Sequence, residues 1–353
     1  MIASMSGFDA LLVVSFGGPE SPEEVMPFLD NVLRGRPISE ERKREVAGHY
    51  LLFGGRSPQN DQCRALVAAI EAELQAHGPR LPVYWGNRNW HPLLADTLRR
   101  MADDGVKRAL AFMTSAYSSY SGCRQYRENV EAARAEVGSR APEVSKLRFF
   151  FNHPGFVEPM ARNVREAFAR VPAARREKAP LVFTAHSLPL AMTRGCDYEV
   201  QLREASRLVA TAAGRDRFRL AFQSRSGSPS QPWLEPDILE ELASLRAQGV
   251  ADLVVAPLGF ISDHMEVVYD LDIEAAAKAR ELGLGMVRAA TVGTAPEFVA
   301  MIRELVLERV EDAPRRALGS LGPRADVCAE DCCLPGMARP AAAGGPTVTA
   351  ESA

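Results

Sequence analysis

Short, nearly continuous apolar runs alternate along the chain with longer stretches in which apolar residues recur every three or four positions. That alternation is what βαβ units around buried parallel sheets require. The first half predicts strands at LLVVSF, LPVYWGN, RALAFMTSAY and KLRFFFN, with helices such as PEEVMPFLDNVL, NDQCRALVAAIEAELQAHG and HPLLADTLRRMADDG between them. The second half repeats the rhythm with strands at APLVFTAHS, RFRLAFQSR, DLVVAPLGF and GMVRAATVG, and closes on the helix TAPEFVAMIRELVLERV. Each half therefore predicts one parallel sheet with helices on both faces.

The halves also echo each other locally. MADDGVKRALAFMTSAY and LRAQGVADLVVAPLGFI both run from a helix end through a glycine turn and a buried strand into a polar loop. Two similar units meeting at a cleft would explain this. In open α/β sheets ligands bind beyond the carboxyl ends of the strands, so the loops after AFMTSAY, FTAHS, AFQSR and APLGF are where a site belongs. Beyond Val310 the chain turns rich in Ala, Gly, Pro and Arg and loses its period, which predicts a poorly ordered tail apart from its cysteines.

At 353 residues the chain accommodates two domains with separate cores. A net charge of -3 argues against a nucleic-acid partner, which needs a basic excess. The longest apolar run, from Leu253, is too short to cross a bilayer, and nothing near the N-terminus has the form of a signal peptide. A cytosolic protein is expected, with peripheral contact to a membrane compatible but unsupported by any clear amphipathic segment.

One stretch departs from this even composition. GFISDHMEVVYDLDIE, residues 259–274, holds five carboxylates and one histidine but no lysine or arginine. It follows a predicted strand, so a helix should begin near Ser262 or Asp263, and Asp263 with Glu266 also fits a capping box. Capping leaves the remaining acids unexplained. Asp263, Glu266, Asp270 and Glu274 are spaced three, four and four apart, which lines them along one helix face. Like charges at that spacing cost a helix roughly 0.2–0.5 kcal/mol per pair, so a one-sided acid row points to a path for a cation or for protons. His186, in LVFTAHSLP, falls at the same predicted end of the same sheet. A histidine and a carboxylate facing one pocket can bind a divalent metal or take up protons near neutral pH. His264 sits beside the row as a supporting group.

SFGGPE, residues 15–20, puts two glycines after the first strand, either as a ligand loop or as a tight turn before a helix. It lacks nucleotide-binding spacing, and no Walker sequence occurs. Six cysteines are too few for a disulfide scaffold, but Cys328, Cys332 and Cys333 form a tight C-x3-C-C set, one ligand short of a four-cysteine centre. Cys63, Cys123 and Cys196 are the available partners, and spacing does not choose among them.

Taken together, FTAHSLP, SDHMEVVYDLDIE, FGGRSP, WGNRNWHPLL and QPWLEP closely resemble the ferrochelatase family, in order and spacing, from about Phe8 to Val310. The resemblance implies a chelatase-like α/β fold of two Rossmann-like domains, each with a parallel four-stranded sheet flanked by helices. These would span 1–153 and 154–312, with a cysteine-bearing, partly disordered tail at 313–353. It implies insertion of ferrous iron into a porphyrin, with His186 and Glu266 as the catalytic pair and as ligands of the substrate iron. Asp263, His264, Asp270 and Glu274 would line a proton or iron path, and Phe16, Ser57, Arg88 and Trp233 the porphyrin pocket. Some members hold a [2Fe-2S] cluster on three C-terminal cysteines and one internal cysteine. The setting SSYSGC makes Cys123 the internal ligand beside Cys328, Cys332 and Cys333, although the tail spacing differs from the wider animal pattern. SSYSGCRQYREN and NDQ lean toward members acting on coproporphyrin III rather than protoporphyrin IX. A cobalt chelatase is the nearest alternative, but such enzymes are usually shorter and lack both the acid segment and the tail. A non-catalytic haem carrier or iron sensor is the other, and it has no need of a proton acceptor.

Overall fold

The computed structural model describes residues 7–34, 38–226 and 231–336. Strands β1 (Ala10–Ser15), β2 (Val83–Asn87), β3 (Arg108–Met113) and β4 (Glu143–Lys146) form one parallel sheet in the order β2-β1-β3-β4. Strands β5 (Leu181–His186), β6 (Phe218–Gln223), β7 (Asp252–Ala256) and β8 (Gly285–Arg288) form a second in the order β6-β5-β7-β8. The second sheet thus repeats the topology of the first. The central strands are buried from end to end, which is why their sequences read as unbroken apolar runs rather than as alternations.

The local echo now has a physical basis. Gly105 and Gly249, at φ of +84° and +81°, follow the helices Leu94–Asp103 and Ile238–Ala247 and turn the chain into β3 and β7, the third strand of each sheet. A side chain at either point would be forced into the left-handed region.

One predicted strand is displaced. β4 pairs Glu143–Lys146 with Arg108–Ala111, so the sheet edge ends where the predicted strand KLRFFFN begins. Phe149, Phe150 and Phe151 are instead buried outside the sheet, with Phe150 stacked on Phe112 at 5.3 Å and edge-on to Phe298 at 5.6 Å. A short apolar run buried on all sides carries no period to separate a strand from core-filling loop.

The last long helix, Pro296–Val310, packs on both Pro154–Ala169 and Gln59–His77 and so joins the halves. At its end Glu308 receives both arms of Arg148 at 2.7 Å, in a pair that is almost wholly buried. The following segment is held along its length. Arg316 O accepts from Arg148, Leu318 N donates to Asn152 O, Ser320 N donates to Glu204, and Arg324 pairs with Asp197. Order therefore continues through Gly336, where loss of periodicity had suggested a loose tail; residues 337–353 lie outside the described residues.

Candidate active site

Loops at the carboxyl ends of the two sheets touch: Tyr117 OH donates to Leu258 O at 3.0 Å, and Gln62 binds the backbone of Asp263. His186 is the last residue of β5, and Glu266 follows β7, its neighbour in the sheet. In this strand order the connections leaving β5 and β7 run to opposite sides, which opens a crevice between them. His186 Nε2 lies 3.6 Å from Glu266 Oε1. The other ring nitrogen, Nδ1, donates to Ser187 O at 2.5 Å, which fixes the ring and turns Nε2 toward the carboxylate. Tyr198 OH donates to His186 O at 2.9 Å and anchors the backbone behind it.

The pair is an imidazolium facing a carboxylate. Burial alone would discharge His186, but the charge and hydrogen bond of Glu266 outweigh it and raise the imidazole to about 9. Burial would likewise raise Glu266, yet His186 pulls it down to about 2. Both side chains are partly exposed, at 30 and 49%, so water screens the attraction until a ligand displaces it.

The acid segment is built differently from a plain α-helix. It begins with the short turn Met265–Val267 and continues as a π-helix from Val268 to Ala275. Such wide turns recur at functional sites. The N-cap is His264, whose Nδ1 accepts from Glu266 N at 3.2 Å, so the Asp263–Glu266 capping box does not form. His264 stands edge-on to Phe260 with its pKa lowered by burial, while Glu266 pulls the other way.

Asp263 precedes the helix and turns away from the row. It binds Arg288 at 3.0 Å, and Arg288 reaches Asp272 at 2.6 Å as well. The missing basic residue of the acid stretch is thus supplied by β8. Glu266, Asp270 and Glu274 remain as the row. Asp270 accepts hydrogen bonds from Ser224 Oγ and, at 3.3 Å, from Gln223 Nε2. Burial raises it to about 7 against the pull of Ser224, with Glu266 and Glu274 adding to the rise. Glu274 is exposed and also raised, first by burial and then by Asp237.

Across the cleft, Phe16 follows β1 and is 37% exposed. Arg88 follows β2, with its guanidinium over Tyr126 at 4.3 Å and Phe16 at 5.6 Å, and it donates to Asn129 Oδ1 at 2.6 Å and Ser121 O at 3.3 Å. Ser57 is buried, and its hydroxyl accepts from Gln59 N. Gly18 packs so closely on Ser57 that an added Cβ would lie 2.7 Å from its side chain, and Gly17, at φ +87°, leaves no room for one against Asn87 and Trp90. Trp233 is buried where it bridges Pro189, just past His186, and its indole N–H has no hydrogen-bond partner.

Several residues that complete this site gave little sequence signal. His49 stacks on Tyr269 at 3.7 Å and joins the helix Glu40–Leu51 to the π-helix. Its neighbour Tyr50 is pushed far up by burial, with the charge of Glu266 adding to the rise. Gln62 binds both backbone polar groups of Asp263. Gln223 ends β6 and Ser224 follows it, both within the AFQSR run at the carboxyl end of that strand.

All six cysteines are free. Cys123 lies in a second π-turn, Tyr120–Arg124, and the tail brings three more thiols to it. Cys328 and Cys333 stand near enough to Cys123 to perturb its thiol, and Cys332 is coupled in the same way to Cys328 and Cys333. Arg124 secures the tail by donating to Glu330 O at 2.6 Å and Cys332 O at 3.2 Å, and Cys333 N donates to Gly195 O. Cys63 lies elsewhere, donating to Ser15 Oγ, and Cys196 donates to Met192 O. Among the described residues no three His, Cys, Asp or Glu side chains are arranged to hold a single metal ion.

The ferrochelatase family model matches residues 8–310. Ferrochelatase from Rhodopirellula baltica is 54% identical over 99% of this chain and 100% of its own length. Coproporphyrin III ferrochelatase from Streptomyces coelicolor is 51% identical over 97% of this chain and 98% of its own. That from Frankia alni is 54% identical over 93 and 87%, respectively. Among solved structures, the sirohydrochlorin chelatase SirB from Bacillus subtilis subspecies spizizenii, in complex with cobalt, has a TM-score of 0.50 at 11% identity over 86% of this chain and 96% of that one. SirB from Bacillus subtilis with Fe3+ has a TM-score of 0.51 at 11% identity over 85 and 96%. These structural likenesses carry the two-sheet, chelatase-like fold alone, whereas the sequence match spans nearly the whole chain. The chain belongs to the ferrochelatase family.

Proposed function

We propose that the chain inserts ferrous iron into coproporphyrin III, for haem formation, in the cleft between the two sheets and against His186 and Glu266. The observation that carries the reading is the 3.6 Å approach of Nε2 to Oε1 at the open end of the second sheet. Inserting the metal removes two protons from the pyrrole nitrogens, and this pair is placed to manage them.

The charge state of the free enzyme constrains the order of events. His186 already carries a proton at neutral pH, so it must lose that proton before serving either as base or as iron ligand. An approaching Fe2+ ion, attracted by Glu266, repels the imidazolium and drives this loss. Asp270, held near 7, is matched to receive a proton at neutral pH, and exposed Glu274 continues the row to the surface. Asp263 and His264 act on this path by position: one ties the segment to Arg288, and the other caps it behind Glu266. Phe16 and Arg88 form the opposite wall, Trp233 backs the His186 loop, and Ser57 shapes the turn beneath Phe16.

Coproporphyrin III carries a propionate on every pyrrole ring, where protoporphyrin IX has vinyl groups on some. The relatives from Streptomyces coelicolor and Frankia alni are named for coproporphyrin III. The motif residues that lean the same way, Gln62 and Ser118, fix how the two halves meet and so bear on the width of the cleft. Anaerobic Fe2+ insertion assayed with both porphyrins tests this. A kcat/KM at least about tenfold higher for coproporphyrin III is expected, and a preference for protoporphyrin IX would contradict it.

We infer further, from the family resemblance and from the mutual nearness of these thiols, that Cys123, Cys328, Cys332 and Cys333 would be the ligands of a [2Fe-2S] cluster. Cys328 lowers the Cys123 thiol, but Cys333 and burial outweigh it and raise it to about 11; Cys328 is raised too, chiefly by Cys123. Burial raises Cys332. Binding of metal would replace the thiol protons. The cluster, when bound, supplies a crosslink between the π-turn and the tail and a one-electron redox centre. A reducing, cytosolic setting suits both the cluster and the free cysteines.

A further inference from the structure

Arg288 is the last residue of β8, and its backbone is fixed on both sides. Its carbonyl accepts from Arg170, and the amide of the next residue, Ala289, donates to Val255 O at 2.8 Å. The guanidinium is fully committed. Nε donates to Asp272 Oδ1 at 2.6 Å and Nη2 to Asp272 Oδ2 at 2.9 Å, a two-pronged grip on one carboxylate. Nη1 donates to Asp263 Oδ1 at 3.0 Å and to Ala289 O at 3.4 Å, and Nη2 also reaches Asp263 Oδ2 at 3.4 Å. Every guanidinium N–H is thus used, so the side chain is built to hold protein rather than substrate.

The two carboxylates that it holds bracket the acid row. Asp263 precedes the turn that carries Glu266, and Asp272 lies two residues from both Asp270 and Glu274, hence near the opposite side of the helix. Asp263 is gripped from the first half of the chain as well, because Gln62 binds both of its backbone polar groups. Hydrogen bonds therefore run without a break from the helix Gln59–His77 through Asp263 and Arg288 to the back of the π-helix.

We infer that Arg288 is a positioning residue for iron insertion, clamping the acid segment at two points so that Glu266 stays toward His186 and Asp270 toward Ser224. The inference rests on the reaction proposed above. The requirement is for the planar fork, since a lysine ammonium keeps the charge but cannot meet two carboxylates side by side.

The test uses the full chain as wild type, Arg288→Lys and Asp272→Asn. Anaerobic Fe2+ insertion into coproporphyrin III gives kcat and KM, and hydrogen exchange of the amides from His264 to Ala275 reads the clamp without turnover. Arg288→Lys should lower kcat about 10²-fold while KM for the porphyrin stays within about twofold of wild type. Exchange across the segment should quicken in the same variant. Asp272→Asn cuts only one arm of the clamp at a partly exposed carboxylate, so it should show the same split to a smaller degree and carries the test if Arg288→Lys does not fold. A wild-type kcat in a folded variant, a KM that rises while kcat holds, or unchanged exchange across the segment would overturn the inference. A wild type that inserts iron into neither coproporphyrin III nor protoporphyrin IX would instead refute the reaction, with hydrogen exchange still deciding the clamp.

Discussion

Gln62 and Asp263 exchange two hydrogen bonds across the cleft: the Gln62 amide donates to Asp263 O at 2.5 Å and accepts from Asp263 N at 2.9 Å. A mirror of this contact exists. Gln201 accepts from Ser118 N at 2.8 Å and donates to Ser118 Oγ at 2.7 Å. Gln62 lies on the helix leading into β2 and grips the loop after β7; Gln201 lies on the helix leading into β6 and grips the loop after β3. The repeated fold therefore clasps itself through topologically equivalent glutamines. Replacing Gln62 by Leu leaves both Asp263 backbone groups unpaired and should cost about 2 kcal/mol. The melting temperature should fall by roughly 4–8 °C, and KM for the porphyrin should rise more than kcat falls. An unchanged KM would show that the clasp does not set the cleft.

The Arg148–Glu308 pair is the strongest stability prediction. With side chains 0 and 1% exposed, removing one partner strands the other charge in the core. Arg148→Ala should destabilise by about 3–5 kcal/mol, whereas the double change Arg148→Met with Glu308→Leu should recover much of that loss. Chemical denaturation of the single and double variants checks it. A double variant no more stable than Arg148→Ala would contradict the argument.

Ser224 occupies the left-handed region at φ +62° and donates to Asp270. Holding a side chain there costs about 1 kcal/mol, tolerated because the hydroxyl lowers Asp270. Ser224→Gly relieves the strain and removes the donor together. Stability should rise by about 1 kcal/mol, while the limb of the pH–rate profile set by Asp270 moves to higher pH. A profile unchanged by Ser224→Gly would remove Asp270 from the proton path.

The strand pattern, the repeat and the His186–Glu266 pairing were legible because each is written in local period or in position at a strand end. The clasp was not, since Gln62 and Asp263 lie 201 residues apart and a glutamine on a helix carries no marker. The acid row read as unbalanced for the same reason. Its counter-ion, Arg288, belongs to another strand, so only the fold reveals that Asp263 leaves the row. Within the π-turn Glu266 and Glu274 both act on Asp270, while the capping box fails because His264 takes the N-cap one residue later.

The His186–Glu266 pair also predicts a pH window. His186, raised to about 9, contributes stability that is full below its ordinary 6.5 and lost as pH rises through 9. Glu266, lowered to about 2, contributes above its ordinary 4.5 and loses that as pH falls toward 2. In Glu266→Gln, burial is left dominant and the His186 pKa should drop to 6.5 or lower. NMR titration of labelled histidine reads this directly, and an unshifted His186 would sever the coupling.

Anaerobic insertion of Fe2+ into coproporphyrin III by Glu266→Gln and His186→Ala, with folding verified, tests the central claim. Each variant should lose about 10²-fold or more in kcat/KM relative to wild type. Insertion at the wild-type rate by either variant would contradict the assignment of that residue to the site.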